Sequence, residues 1–198
     1  MLVSHKPDAK AVERFLDRQQ NQPFSYPEVG STRGPAPSGY NVDHNRICLG
    51  KGLEAFDRAI EGIKTWRMFG TDWTEIFPRD APIEDGSTVA ILVRHLGFWS
   101  LNASRIVYVI EDHDEVKRFG FAYGTLPDHA EQGEERFSVE YQPADGSVWY
   151  DLFAFSRPRH ILARLGYPFS RRLQRRFARD SLKAMEQAVN YEGSGSRS

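Results

Sequence analysis

The chain has 198 residues and a formal net charge of −1, long enough for one domain with a sizeable core and too close to neutral for a general polyanion binder. Hydrophobic residues at 40% and aromatics at 13% exclude an intrinsically disordered chain. The one cysteine, Cys48, excludes an internal disulfide framework and any multi-cysteine zinc site.

In chain order, residues 8–20 predict a short amphipathic helix, capped by Asp8, with Val12, Phe15 and Leu16 on one face. Residues 21–41 contain Pro23, Pro27, Gly30, Gly34, Pro35, Pro37 and Gly39, a density of breakers that predicts an irregular loop. Ile47–Gly50 reads as a short strand and Leu53–Phe69 as a helix with Phe56, Ile60, Ile63 and Trp66 on one stripe. From Asp72 the period drops to two. Strands are expected at Trp73–Phe77, Ser87–Leu96, Leu101–Glu111, Glu115–Thr125, Glu134–Gln142 and Ser147–Ser156. The joints Glu84-Asp-Gly86, Asp112-His-Asp114 and Pro143-Ala-Asp-Gly146 carry turn chemistry, and such short joints imply an antiparallel meander. Pro158 is placed to open a helix that Gly166 and Pro168 interrupt, and a final helix covers 170–189. Residues 1–190 are thus expected to form a single domain, with 191–198 as a flexible Gly/Ser tail. No run reaches the ~18 apolar residues a spanning helix needs, and the N-terminus lacks the apolar core of a secretory signal. Both point to a cytoplasmic protein with no transmembrane segment.

This order implies an α+β fold: a curved antiparallel sheet of about six to seven strands, one face of which a long C-terminal helix can cover. The plan resembles the helix-grip arrangement of lipid-transfer START domains, birch-pollen-allergen-like proteins and polyketide cyclases, where a cavity remains if helix and sheet do not fully meet.

Several segments together resemble a bacterial and plant family designated a domain of unknown function (number nineteen-ninety). They are Phe24-Ser-Tyr-Pro-Glu-Val-Gly30, Gly39-Tyr40, Leu49-Gly-Lys-Gly52, Trp66-Arg-Met-Phe69, Arg105-Ile-Val-Tyr-Val109, Phe119 to Phe137, and Phe155-Ser-Arg-Pro158. The resemblance spans roughly residues 24–189 and implies a fold but no activity. The chain departs from the pattern at Asp128-His129-Ala130, where the family has Gly-His-Pro.

Strand parity selects the candidate site. Phe119, Phe121, Tyr123 and Thr125 share one face; Phe137, Val139 and Tyr141 share parity with Glu135, which ends an apolar row. An inward carboxylate needs a partner or a raised pKa. Arg105, in a strand apolar on both faces, is the expected bidentate partner, either as a structural pair fixing register or as part of a site. His129, Glu131 and Glu134 compose a His-x-Glu-x-x-Glu pattern that matches no standard zinc motif and reads as a solvated loop, so no metal is expected. Cys48, Ser104 and Ser156 lack the surroundings of a nucleophile, and Gly50-Lys-Gly52 lacks the spacing of a phosphate loop, so no cofactor is expected.

Three functions follow. The first is a binding module that holds a small apolar or amphiphilic molecule between sheet and helix, with Trp66, Arg105, Tyr108, Phe121, Tyr123, His129 and Glu135 as ligand-binding candidates. The second is a cyclase- or hydratase-like enzyme on the same scaffold, using Glu135 or His129 for proton transfer. The third is an anionic-surface adaptor built on Arg171, Arg172, Arg175, Arg176 and Arg179 of the last helix; at this net charge those arginines read as a solvated face, so no nucleic acid partner is expected.

Overall fold

The computed structural model describes residues 2–158 and 167–190. Its elements run β1 (Leu2–Val3), α1 (Ala9–Gln19), β2 (Asn41–Lys51), α2 (Leu53–Lys64), β3 (Thr74–Phe77), β4 (Thr88–His95), β5 (Phe98–Asp112), β6 (Lys117–Thr125), β7 (Glu131–Gln142), β8 (Ser147–Pro158) and α3 (Tyr167–Asn190). The strands form one antiparallel sheet in the order β2-β8-β7-β6-β5-β4-β3, with β1 added beside the start of β5. The meander from β3 to β8 follows from the short turns. β2 reaches the opposite edge from β3 because α2 carries the chain across one face. The expected helix after Pro158 and the expected tail lie outside the described residues.

The inner face of the sheet is covered by α2 and α3. Phe56, Ala59 and Ile63 of α2 and Ala178, Met185 and Val189 of α3 join Ile106, Phe121, Phe137, Val139 and Tyr150 in one buried cluster. Fully burying a side chain of this size contributes about 1.5–3 kcal/mol, so this cluster is the main stabiliser of the fold. The two helices meet closely at Gly62, where a Cβ would lie 3.0 Å from the Met185 methyl. Arg58 ties the end of α3 to α2 by donating to the Val189 carbonyl at 2.8 Å. α3 starts three residues earlier than its apolar stripe suggests. Pro168 sits in its first turn, where a missing N–H costs nothing, and so opens the helix instead of interrupting it.

The outer face is also covered. Val12 and Phe15 of α1 pack on Ala90, Leu92, Leu101, Ala103 and Leu126. Asp8 caps α1 by accepting from the Ala11 N–H at 2.7 Å. The irregular segment between α1 and β2 lies over β6 and β7, and Gly124 makes room for it. A Cβ there would stand 2.2 Å from the Tyr26 hydroxyl.

Three expected elements differ. The helix after Gly52 ends at Lys64, and Trp66 takes a left-handed φ of 55° before a 3-10 turn at Arg67–Phe69. Left-handed backbone costs a bulky residue roughly 1–2 kcal/mol. The cost is offset by seating the indole, which packs on Phe121 with ring centroids 4.8 Å apart and donates to the Ala81 carbonyl at 2.8 Å. β2 is eleven residues long, not four, because its inward row, Asn41, Asp43 and Asn45, is polar and hides the alternation. Cys48, expected in a packed strand, is exposed on the outer face.

Candidate functional site

Between the sheet and the N-terminal half of α3 the packing leaves a cavity of ≈ 330 Å³. Its apolar walls are Phe69, Trp73, Ile91, Val93, Leu152 and Ala154, closed over by Phe169, Leu173 and Phe177 of α3. Its polar groups come from six strands and one loop: Asp43 and Asn45 on β2, His95 on β4, Ser100 and Asn102 on β5, Tyr123 and Thr125 on β6, His129 beyond it, Glu131 and Glu135 on β7, and Ser156 on β8. The sheet continues past the last buried layer of core side chains, and α3 bridges it there.

The Tyr123 hydroxyl donates to Glu135 Oε2 at 2.7 Å; the two residues are direct cross-strand partners. Burial pushes the Glu135 carboxyl up to about 7; the Tyr123 bond opposes this, and the charges of Asp43 and Glu131 add to it. Burial and the same carboxylate raise the Tyr123 phenol. His129 Nδ1 lies 3.0 Å from the Glu131 N–H and 3.1 Å from the Glu131 carbonyl, so the backbone of that residue holds the ring in place. Burial lowers the ring to about 4, against the Glu131 backbone contact, so it is neutral at physiological pH. Glu135 and His129 both keep accessible surface deep in the protein, because that surface faces the cavity. Burial likewise lowers His95, whose Nδ1 has no hydrogen-bond partner. The Glu131 carboxylate is held by Ser170 Oγ and Gln174 Nε2 of α3. Arg171 of α3 reaches across the cavity's edge to β2 and donates to both oxygens of Asp43. These contacts latch the first turns of α3 onto the sheet.

Of the residues proposed from sequence, Tyr123, His129 and Glu135 line the cavity together. Trp66 and Phe121 are core residues, packed against each other and absent from the cavity wall. Arg105 and Tyr108 face the other side of the sheet. The expected Arg105–Glu135 ion pair does not form: Arg105 is opposite Gly124, whereas Glu135 is opposite Tyr123, so the two project from opposite faces. A bulge between Ile106 and Tyr108 shifts the register of β5. It places Val109 inward and Arg105 and Tyr108 outward, which uniform alternation excludes. Arg105 instead caps the end of α1, donating to the Gln19 and Gln22 carbonyls at 3.0 Å and to that of Gln20. His129, Glu131 and Glu134 do not converge either, since Glu134 lies on the outer face.

There Glu134 organises a second polar cluster. It is 2% exposed and accepts from the Tyr26 hydroxyl at 2.6 Å, from the N–H groups of Gly30 and Thr32 at 2.7 and 2.9 Å, and from Thr32 Oγ1. Thr32 Oγ1 also meets the Tyr108 hydroxyl at 2.8 Å, and Arg136 donates to the Thr32 carbonyl and to Asp151. Every partner is intramolecular, so this cluster pins the Pro/Gly-rich segment to the sheet. Three arginines of α3 are similarly engaged: Arg171 pairs with Asp43, Arg176 with Asp72 and Asp180, and Arg179 with Asp180, while Arg172 and Arg175 are exposed.

Residues 25–184 match the family described as "Domain of unknown function (DUF1990)". The chain belongs to this family. The matched region contains both the Glu134 cluster and the cavity. A UPF0548 protein of Dictyostelium discoideum is 35% identical over 207 residues, covering 96% of each chain, and one of Deinococcus radiodurans is 35% identical over 202 residues, covering 96% of this chain and 99% of its own. Among solved structures, a hypothetical protein of Helicobacter pylori superposes with a TM-score of 0.53 at 9% identity, covering 85% of this chain and 96% of that one. Human STARD10 gives a TM-score of 0.47 at 9% identity, covering 96% of this chain and 84% of that one. At such identities the fold alone is shared, and for this DUF1990 member it is the helix-grip fold.

Proposed function

We propose that this protein binds a small, largely apolar molecule carrying one polar group in the cavity between the sheet and α3. The observation that supports this is a volume of ≈ 330 Å³ with aromatic walls, lined also by the Tyr123–Glu135 pair and by His129. Native side chains pack to a density that leaves few voids larger than a water molecule, so a space of this size implies an occupant. No helix among the described residues is long and apolar enough to cross a membrane, and an exposed Cys48 thiol suits a reducing compartment. We infer a cytoplasmic carrier or sensor of a small molecule.

A second reading has a specific observation behind it. A carboxyl that titrates near neutrality beside a phenol, with a neutral imidazole across the same cavity, has the equipment for proton transfer to a bound molecule. Binding comes first in either case. Native mass spectrometry of the purified protein should reveal a small molecule that is lost on denaturation. A hydrophobic fluorescent probe should bind, and Ala154→Phe, which fills the cavity, should abolish binding without unfolding the protein. If Ala154→Phe binds the probe as well as the native protein does, the cavity is not the site.

A further inference from the structure

The described lining of the cavity is charged with one sign only. It includes four carboxylates, Asp43, Glu131, Glu134 and Glu135, and no Lys or Arg. Glu134 spends its oxygens on the outer face, and Asp43 is neutralised by the two-pronged contact from Arg171. Glu131 is held only by neutral donors from α3. Glu135 receives one hydrogen bond, from the Tyr123 hydroxyl. The other ionisable groups acting on it are Asp43, Glu131 and the Tyr150 hydroxyl, itself bonded to Ser181. All of these are acidic. Among the described residues, Arg105 and Arg136 face outward, to α1 and to Asp151, and Arg171 at the cavity's edge donates to Asp43.

A carboxylate removed from bulk water is normally compensated by a cation or by several donors. Glu135 has neither among the described residues, and its free surface opens on the cavity. We propose that the occupant supplies the missing charge: the ligand is a small amphiphile with a protonated amine at one end, its ammonium seated between Glu135 and Tyr123 and its apolar body against Phe69, Trp73, Leu173 and Phe177. This rests on the ligand-cavity reading above and narrows it to a chemical class. Aromatic side chains in the lining, Phe69, Tyr123 and Phe177, are better neighbours for a cation than for an anion. The same lining discriminates against a carboxylate or phosphate head, which would face Glu131 and Glu135 with no counter-charge. A neutral alcohol would gain a hydrogen bond but no ion pair.

The test uses the full-length protein and three ligands with one tail, octylamine, octanol and octanoate, titrated calorimetrically at pH 8. There the amine is protonated, its pKa being close to the ~10.4 of a lysine side chain, and Glu135 is ionised. Octylamine should bind at least tenfold tighter than octanol, and octanoate weakest of all. Glu135→Gln should bring octylamine to within about threefold of octanol, both measured on that variant. Should that variant not fold, the native protein gives the same answer by titration: from pH 8 to pH 5 octylamine should weaken tenfold or more while octanol stays level. If octanoate binds as tightly as octylamine, or if the amine preference survives both the substitution and the acid titration, the amine assignment is wrong and the ligand-cavity reading stands. If none of the three binds, both fall.

Discussion

Replacing Glu135 should stabilise the protein, and by an amount that depends on pH in a direction the structure dictates. The carboxyl moves from an ordinary value of 4.5 to about 7 in the fold, chiefly through burial. Between these values the folded state holds a proton that the unfolded state has released, so stability falls as pH rises through this window. At 1.36 kcal/mol per unit, the full penalty above pH 7 is about 3 kcal/mol. His129 acts in the opposite sense. It moves from 6.5 to about 4, so the unfolded state holds the extra proton in between, and stability rises with pH across nearly the same window. The two contributions largely cancel in the native protein, and single substitutions should uncover them. Glu135→Gln should match the native protein near pH 4 and exceed it by about 3 kcal/mol at pH 8, a Tm increase of roughly 6–12 °C for a chain of this length. His129→Asn, whose amide can contact the same Glu131 backbone groups, should exceed the native protein near pH 4 and not at pH 8. Urea melts followed by tryptophan fluorescence from pH 4 to pH 8 measure both differences. A Glu135→Gln difference that is the same at pH 4 and pH 8, or that shrinks as pH rises, would refute the buried-carboxylate argument.

The outer face can be probed separately. Glu134→Ala strands the Tyr26 hydroxyl and the N–H groups of Gly30 and Thr32; it should cost about 3–5 kcal/mol and expose residues 21–40 to limited proteolysis, whereas an unchanged urea midpoint would mean that Glu134 does not hold this segment. Arg105→Ala should cost about 2 kcal/mol by releasing the carbonyls at the end of α1, seen as faster amide exchange in α1. It should leave probe binding in the cavity intact, and Arg105→Lys should recover little, because one ammonium cannot span three carbonyls.

How much of this was legible in the chain varies with the range of the interaction involved. The β3–β8 meander and the closing helix were readable because hydrophobic period and turn chemistry are local: Phe119, Phe121 and Tyr123 alternate with Gly120, Ala122 and Gly124 over a span in which the strand has no bulge. That same regularity placed Tyr123 and Glu135 on the inward face as cross-strand partners. β2 was largely illegible, because a strand that lines a cavity carries Asp43 and Asn45 where a packed strand carries apolar side chains. The polar inner row marks a strand whose inner face is not fully packed, and it reads as such only once the neighbouring strand is known.

Composition, period and turn residues by themselves determined the α+β class, the antiparallel meander and the two strands that carry Tyr123 and Glu135, since each depends on contacts within a few residues or across one turn. Tertiary structure decided which side of the sheet each polar residue serves. One bulge near Val107 sends Arg105 to α1 instead of to Glu135, and the gap between α3 and the sheet's end creates the cavity. Side-chain parity along a strand survives only while the register is unbroken, and a bulge is specified by the partner strand's geometry, not by the bulged residues alone. Whether Glu135 would meet a cation therefore depended on the register of a strand more than twenty residues away, which no local pattern records.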